Sequence, residues 1–326
     1  MQLCDIDFDI TGTVMDKLER IERRLKLQDV RVLLSVVQAG SMHKAAEHLG
    51  TSQPAVSRSI ADLEHALGVR LLDRSRRGIE PTQYGRAIAK RGIAVFDELR
   101  QGVKDIESLA DPTAGDLRVG CTETVAAGSC FVVMDRLTRR YPRIMFDVVT
   151  GGWTALHRNL TERNVELVMA GIISPVSEEY VVETLFDDPL VVAAGLQNPW
   201  TRRRQIKLAE LVNEPWTLPP SGSPAGTLAV EPFRASGLEP PRTMITTVSL
   251  NLRIQLLATG RFLTMLPAST LTPRGKYRLL KALPVELPNV RRSVMIVTLR
   301  NRTLSPLAEL FIKTARALAK QLARAR

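Results

Sequence analysis

Between Gly40 and Leu63 the chain reads GSMHKAAEHLGTSQPAVSRSIADL, and this stretch constrains the fold more than any other. Its pattern is two short helices joined by a tight turn. The first spans about Met42 to Leu49 behind Ser41 as N-cap. Gly50 ends it, because a residue without Cβ enters the left-handed conformation at little cost. Ser52 caps the second helix through its hydroxyl oxygen, and Pro54 falls in the first turn, where a missing N–H matters little. Val56, Ile60, Leu63 and Leu67 recur at helical spacing and form one buried stripe. The other face carries Ser57, Arg58 and Ala61, with Gln53 at the exposed N-terminal end. A small polar face with one long cation suits a helix entering the DNA major groove, where Arg pairs with guanine and Gln with adenine. An ordinary helical hairpin shares the pattern, so the flanks decide between the two.

After Leu67 comes GVRLLDRSRRGIEPTQYG. Two apolar residues, Leu71 and Leu72, precede a basic cluster of Arg74, Arg76 and Arg77 before Gly78. The reading is a wing, a short ribbon whose basic tip reaches phosphates beside the groove. A charge run is usually a solvated face; directly behind a groove-shaped helix, it favours the nucleic-acid reading. The formal net charge of +11 agrees with a polyanionic partner.

These residues resemble the N-terminal signature of LysR-type transcriptional regulators. The elements that carry the likeness are Ala45–Ala46, Leu49, Ser52 through Arg58, Ile60, Leu63–Glu64, Leu67–Gly68, Leu71–Leu72, Arg74 and Pro81–Thr82. The resemblance extends from about Lys26 to the C-terminus. It implies a winged helix-turn-helix DNA-binding domain, a long linker helix, and a two-lobed α/β effector module like a periplasmic binding protein. On double-stranded DNA, Gln53, Ser57 and Arg58 are expected at base edges. Ser52, Arg74, Arg76 and Arg77 are expected at phosphates, with Ser41 and Pro54 in the same interface.

The 326 residues allow two or three domains, and 44% hydrophobic content supplies real cores. No apolar run is long enough to span a bilayer, and the N-terminus carries Asp5, Asp7 and Asp9 in place of a signal peptide. Cys4, Cys121 and Cys130 show no metal spacing, which points to a reducing cytoplasm and no metal. For residues 1–25, an extension unusual for the family, two readings stand: translation begins at Met15, or the segment is a short acidic tail.

The DNA-binding domain is expected over 26–82, opening on a helix from Leu27 to Ala39 whose Val30, Leu33, Leu34 and Val37 face the core. A linker helix follows over 83–112. Gly92, Phe96, Leu99, Val103 and Ile106 are spaced four, three, four, three, and Ile88 and Ala89 extend the seam backwards. The alternatives are packing on its own domain or a homodimer. The dimer is favoured because two recognition helices then read an inverted repeat. The family likeness adds a dimer of dimers and recruitment of RNA polymerase at a promoter.

Beyond the break at Asp111–Gly115, strand and helix signals alternate as βαβαβ, hence a mostly parallel sheet covered by helices. One long helix is expected from about Thr122 to Arg140. The lobes are expected at 115–192 plus 300–326 and at 193–299. Ligands in such sheets sit beyond strand carboxyl ends, which nominates Thr122, Glu123, Thr124, Gly151, Trp153 and Gly171, with Ser221, Ser223 and Ser249 from the second lobe. Trp153 suits stacking on a sugar or aromatic ring, and Glu123 disfavours an anion unless a cation offsets it. The loop WTLPPSGSPAG and the segment TTVSLNLRIQLLATGRFLTMLP resemble branches that respond to sugars, such as the galactose-binding-protein regulators, or to aromatic acids. No cofactor is expected beyond that inducer.

Two other classes compete. An enzyme with a DNA-binding arm needs a catalytic cluster, and His43, His48, His65 and His157, the only histidines, make none. A redox- or ligand-independent regulator would use Cys121 and Cys130 or neither; small buried thiols are the simpler reading of both.

Overall fold

Helix boundaries in the N-terminal part are set by caps. In the computed structural model, which describes residue 21 and residues 23–75, 78–111, 113–171, 177–271, 279–288 and 292–324, three helices come first: α1 (Leu27–Ala39), α2 (Met42–Leu49) and α3 (Gln53–Leu67). Ser41 Oγ accepts from Lys44 N, and Ser52 Oγ accepts from Ala55 N, as expected of the two N-caps. Gly50 has φ 62°, the left-handed value that ends α2 and turns the chain into α3. Leu33, Val36, Ala45, Val56, Ile60 and Leu63 are buried together.

The ribbon pairs β1 (Leu72–Ser75) with β2 (Gly78–Pro81) in antiparallel register, Leu72 opposite Pro81. Glu64 holds its root, its carboxylate accepting from Leu71 N at 2.7 Å and Leu72 N at 3.3 Å. Thr82 Oγ1 accepts from Gly85 N and donates to the Arg70 carbonyl, capping α4 (Gln83–Ala110) while tying it to the ribbon. Glu64 and Thr82, read from the sequence as signature residues, therefore fix the wing.

Helix α4 corrects the seam. Ile88 and Phe96 are partly buried against the winged-helix core of their own chain, and Ala89 and Gly92 are buried. The packing that the spacing left open applies to this first half, because α1 supplies an apolar surface beside it. The second half stays open: Leu99, Val103 and Ile106 are 51%, 55% and 68% exposed, and Leu109 is 85% exposed. The chain divides into compact units at Leu99 and Arg100, within α4.

Among the described residues the second unit has two five-stranded sheets. The first runs β4-β3-β5-β12-β6, built from β3 (Ala114–Cys121), β4 (Arg143–Thr150), β5 (Leu167–Gly171), β6 (Tyr180–Asp187) and β12 (Ser293–Leu299). β3 lies parallel to β4 and β5, and β12 runs antiparallel to β5 and β6. The second runs β11-β7-β10-β8-β9, from β7 (Leu190–Gly195), β8 (Trp216–Leu218), β9 (Thr243–Thr246), β10 (Leu263–Pro267) and β11 (Leu280–Ala282), the last not foreseen from the sequence. Helices cover the sheets: α5 (Phe131–Arg140), α6 (Trp153–Thr161), α7 (Pro224–Ala235), α8 (Leu250–Ala258) and α9 (Pro306–Arg324). Ala308, Phe311 and Ala315 of α9 join the first lobe's core, as the family likeness implied. Lys104 of α4 reaches Glu166 Oε1 at 2.5 Å, fixing the helix end to this unit. Among the described residues no helix is long and apolar enough to cross a membrane.

Two expectations need correction. The lobe boundaries shift, since Leu190–Val192 already belong to the second sheet and residues 293–299 to the first. The alternation in Ser293–Leu299 marks a strand but not its sheet; that choice falls to Val294 and Ile296, which are buried in the first lobe's core. The helix expected over 122–140 is interrupted. A turn at Glu123–Val125 passes into π-helical Ala126–Cys130 before α5 begins, with Gly128 off helical geometry at φ −105°, ψ −105°.

Candidate functional site

The residues expected at DNA lie on the N-cap of α2, on α3 and its N-cap, and in the ribbon. Gln53, Pro54 and Arg58 are exposed on the N-terminal half of α3, and Ser57 is half-buried beside them. Arg58 makes no hydrogen bond among the described residues, so its fork of donors is available for a base edge. The hydroxyl oxygens of Ser41 and Ser52 serve as caps, which leaves each O–H able to donate to a phosphate. Arg74 stands in β1 opposite Ile79. Arg76 and Arg77 lie outside the described residues.

In the second unit a cavity of about 270 Å³ opens between the lobes, where strand carboxyl ends meet. Thr122, Glu123 and Thr124 follow β3, Gly151 and Trp153 follow β4, and Gly171 ends β5; all six line it, as does Ser223. Ser221 and Ser249 do not. Ser221 is exposed, and Ser249 caps α8, its Oγ accepting from Leu252 N. Ser223 borders the cavity, but its Oγ accepts from Gly226 N and donates to the Pro220 carbonyl, so its polar capacity serves the start of α7. Thr124 Oγ1 accepts from Arg292 Nη2 at 3.2 Å.

Sequence reasoning missed two cations. Arg253 and Arg292 line the cavity and are 4% and 7% exposed. Arg292 Nη1 pairs with Asp188 Oδ2 at 3.1 Å, and Asp188 also accepts from Ser269 N and Oγ. A Cβ on Gly171 would sit 2.5 Å from Arg292 Nη2, so the glycine is what lets the guanidinium lie there. Burial pulls Arg292 below its ordinary range while Asp188 pushes it back up. Arg253 is likewise pulled down by burial, with the Glu123 charge opposing. The offsetting cation that Glu123 called for is thus present in Arg253. One signal could have found Arg253: it shares a buried face with Leu250, Ile254 and Leu257 in a helix otherwise free of charge. Arg292 follows Arg291 before a strand and carries no such mark.

Glu123 also bridges the lobes, its Oε2 accepting from Leu250 N at the start of α8 at 2.5 Å. Cys121 and Cys130 are buried in the first lobe's core, and their shared hydrogen bond with burial holds the Cys130 thiol well above its ordinary range. The same bond lowers the Cys121 thiol, so it is the burial of both side chains, at 0% and 1% exposure, that suits apolar filling.

A winged helix-turn-helix and a two-lobed α/β module with an interlobe cavity, on one chain, define a DNA-binding regulator with a ligand-binding module. The comparisons place it. Residues 27–86 match the family described as bacterial regulatory helix-turn-helix protein, lysR family, and residues 110–320 match the LysR substrate binding domain. The chain belongs to the LysR family of transcriptional regulators. It is 30% identical over 290 residues to the RuBisCO operon transcriptional regulator of Allochromatium vinosum, covering 88% of this chain and 94% of that relative. It is 26% identical over 292 residues to the transcriptional dual regulator GltC of Bacillus subtilis (strain 168), covering 88% and 95%. In fold it is similar to a full-length OxyR variant from Pseudomonas aeruginosa, with TM-score 0.63 at 20% identity over 90% of this chain and 95% of that one.

Proposed function

We propose that this regulator binds an interrupted inverted repeat near a promoter as a homodimer or dimer of dimers, and that a small molecule between the lobes controls it. The observation that carries the reading is the exposed α3 face with Gln53 and Arg58, on a chain that also holds a walled interlobe cavity. The exposed stripe from Leu99 to Leu109 supports a second copy as partner, since a palindromic site needs two recognition helices. Glu123 supports lobe closure as the conformational variable, because it already spans the lobes through Leu250. Closure alters the spacing of recognition helices, DNA bending and contact with RNA polymerase. The reading places the protein in the cytoplasm with no catalytic role.

The direct test is selection of bound sequences from a random DNA pool, repeated with Arg58→Ala. The variant should lose about 1–3 kcal/mol on the selected site and relax preference at one base pair per half-site. Salt dependence should stay nearly unchanged, because a base-edge contact releases few counterions. An identical selected motif for both proteins removes Arg58 from the readout.

A further inference from the structure

The chain's positive charge does not reside where its recognition helix does. Residues 26–82 hold eight Lys and Arg against six Asp and Glu, and residues 1–112 hold seventeen of each. All of the +11 therefore falls beyond residue 112, in the effector module. The first lobe offsets much of its share with carboxylates: Arg118, Arg139, Arg143 and Arg316 each pair with one. The second lobe does not. Between Thr201 and Leu208, Arg202, Arg203, Arg204 and Lys207 are all exposed. Among the described residues their one ion pair is Arg203 with Glu210, at 3.3 Å.

Packing holds these cations outward and together. Thr201, Ile206 and Leu208 are buried around them. Thr201 Oγ1 donates to the Asn198 carbonyl at 2.7 Å, and Ile206 N donates to the Pro284 carbonyl at 3.1 Å. The Arg203 guanidinium lies 5.7 Å from the centre of the Trp200 ring. A fifth cation arrives from β11, where Lys281 Nζ donates to the Thr201 carbonyl at 2.7 Å. Like charges on one short segment repel, and ordinary surfaces intersperse the two signs. Five cations pinned around one carboxylate call for a neutralising charge from outside the chain.

We propose that the surface from Arg202 to Lys207, with Lys281, is a second nucleic-acid contact that takes the phosphate backbone of the DNA engaged by α3. This rests on the DNA-binding reading proposed above. Guanidinium forks match phosphate oxygens in pairs. Protein interfaces place apolar anchors at their centre, whereas protein–DNA interfaces are polar and positive. Here Ile206 and Leu208 are buried and Arg203 covers the Trp200 ring, so the segment turns cations outward. An acidic protein surface is the poorer fit. DNA engaged by α3 is also present at high effective concentration for a second site on the same chain. Phosphate contacts carry no sequence information, so this one adds affinity and leaves the base preference to α3.

The test uses the full chain on a duplex that carries its selected site with long flanks, and reads affinity against salt. Arg202→Gln/Arg204→Gln/Lys207→Gln removes three cations and spares Arg203 on Trp200. It should flatten the plot of log affinity against log salt by about 2–3 per bound copy, because each lost phosphate contact removes about 0.9. The selected base sequence should stay the same. Arg202→Lys/Arg204→Lys keeps the charge and should keep the slope. Arg234→Gln/Arg242→Gln/Arg261→Gln removes as much charge from exposed positions elsewhere in the lobe and should leave the slope nearly unchanged. Arg204→Glu alone repeats the test with one exposed side chain and should flatten the slope by about 1–2. A wild-type slope in the first variant, or in Arg204→Glu should the first fail to fold, overturns the nucleic-acid contact and leaves the cations to an acidic protein surface. Equal flattening by both Gln triples overturns it as well, because net charge and not this surface is then felt. Failure of the unaltered chain to bind any DNA removes the DNA-binding reading and this contact with it.

Discussion

Replacing Leu99 and Val103 together by aspartate is expected to convert the protein to a monomer and to weaken its binding to a two-half-site operator by about 10²–10⁴-fold. The first half of α4 is spent on its own domain, through Ile88 and Phe96. What remains for a partner is Leu99, Val103, Ile106 and Leu109, each more than half exposed. Burying such a side chain contributes about 1.5–3 kcal/mol. Two copies sharing the stripe gain that on both sides, and two aspartates at its centre would have to be desolvated facing their own copies. The winged-helix core should be unaffected, because Leu99 and Val103 lie outside it. Binding to a single half-site should therefore change little. Sedimentation velocity reads the assembly and titration on paired and single half-sites reads the DNA. A double variant that still sediments as a dimer places the interface elsewhere.

Asp188→Ala should be the most damaging single change in the effector module. Asp188 is 1% exposed and is met by Arg292, Ser269 N and Ser269 Oγ. It also sits at a crossover between sheets, where Asp188 N donates to the Arg292 carbonyl at 2.7 Å. Removing one partner of a buried ion pair leaves the other charged and unmet, at a cost of about 3–5 kcal/mol. All three tryptophans, Trp153, Trp200 and Trp216, lie in the unit from Arg100 onward, so tryptophan fluorescence in urea follows that unit specifically. The pair Asp188→Ala with Arg292→Met should lose clearly less than Asp188→Ala alone, because no charge is then stranded. A loss below about 1 kcal/mol for the single variant would put the pair in the class of solvent-screened surface bridges.

Much of the DNA-binding half was legible because its determinants are local. Ser41, Gly50, Ser52 and Pro54 act within a few residues of themselves, and the stripe of Val56, Ile60 and Leu63 follows from helical spacing. The ligand half was legible only as far as strands announce their ends. Six first-lobe residues at those ends, from Thr122 to Gly171, do line the cavity. Ser221 and Ser249 failed because a serine near a helix start reads the same whether it serves the helix or a ligand. In the structure Ser249 spends its oxygen on Leu252 N.

Caps, periodicity and turn residues are short-range physics, and they specify the winged helix-turn-helix, the linker helix and the α/β character of the effector module. Tertiary structure alone decided three things. It divided the α4 seam between an intramolecular half and an open half, because only the fold shows that α1 covers the first. It assigned β12 to the first lobe and β7 to the second, because strand propensity does not say which sheet supplies the partner. It brought Arg253 and Arg292 into one cavity with Thr122 and Glu123, from segments more than a hundred residues apart in the chain. The charge of a site is a sum over groups that only folding assembles, so what it can bind is legible only after the chain has closed around it.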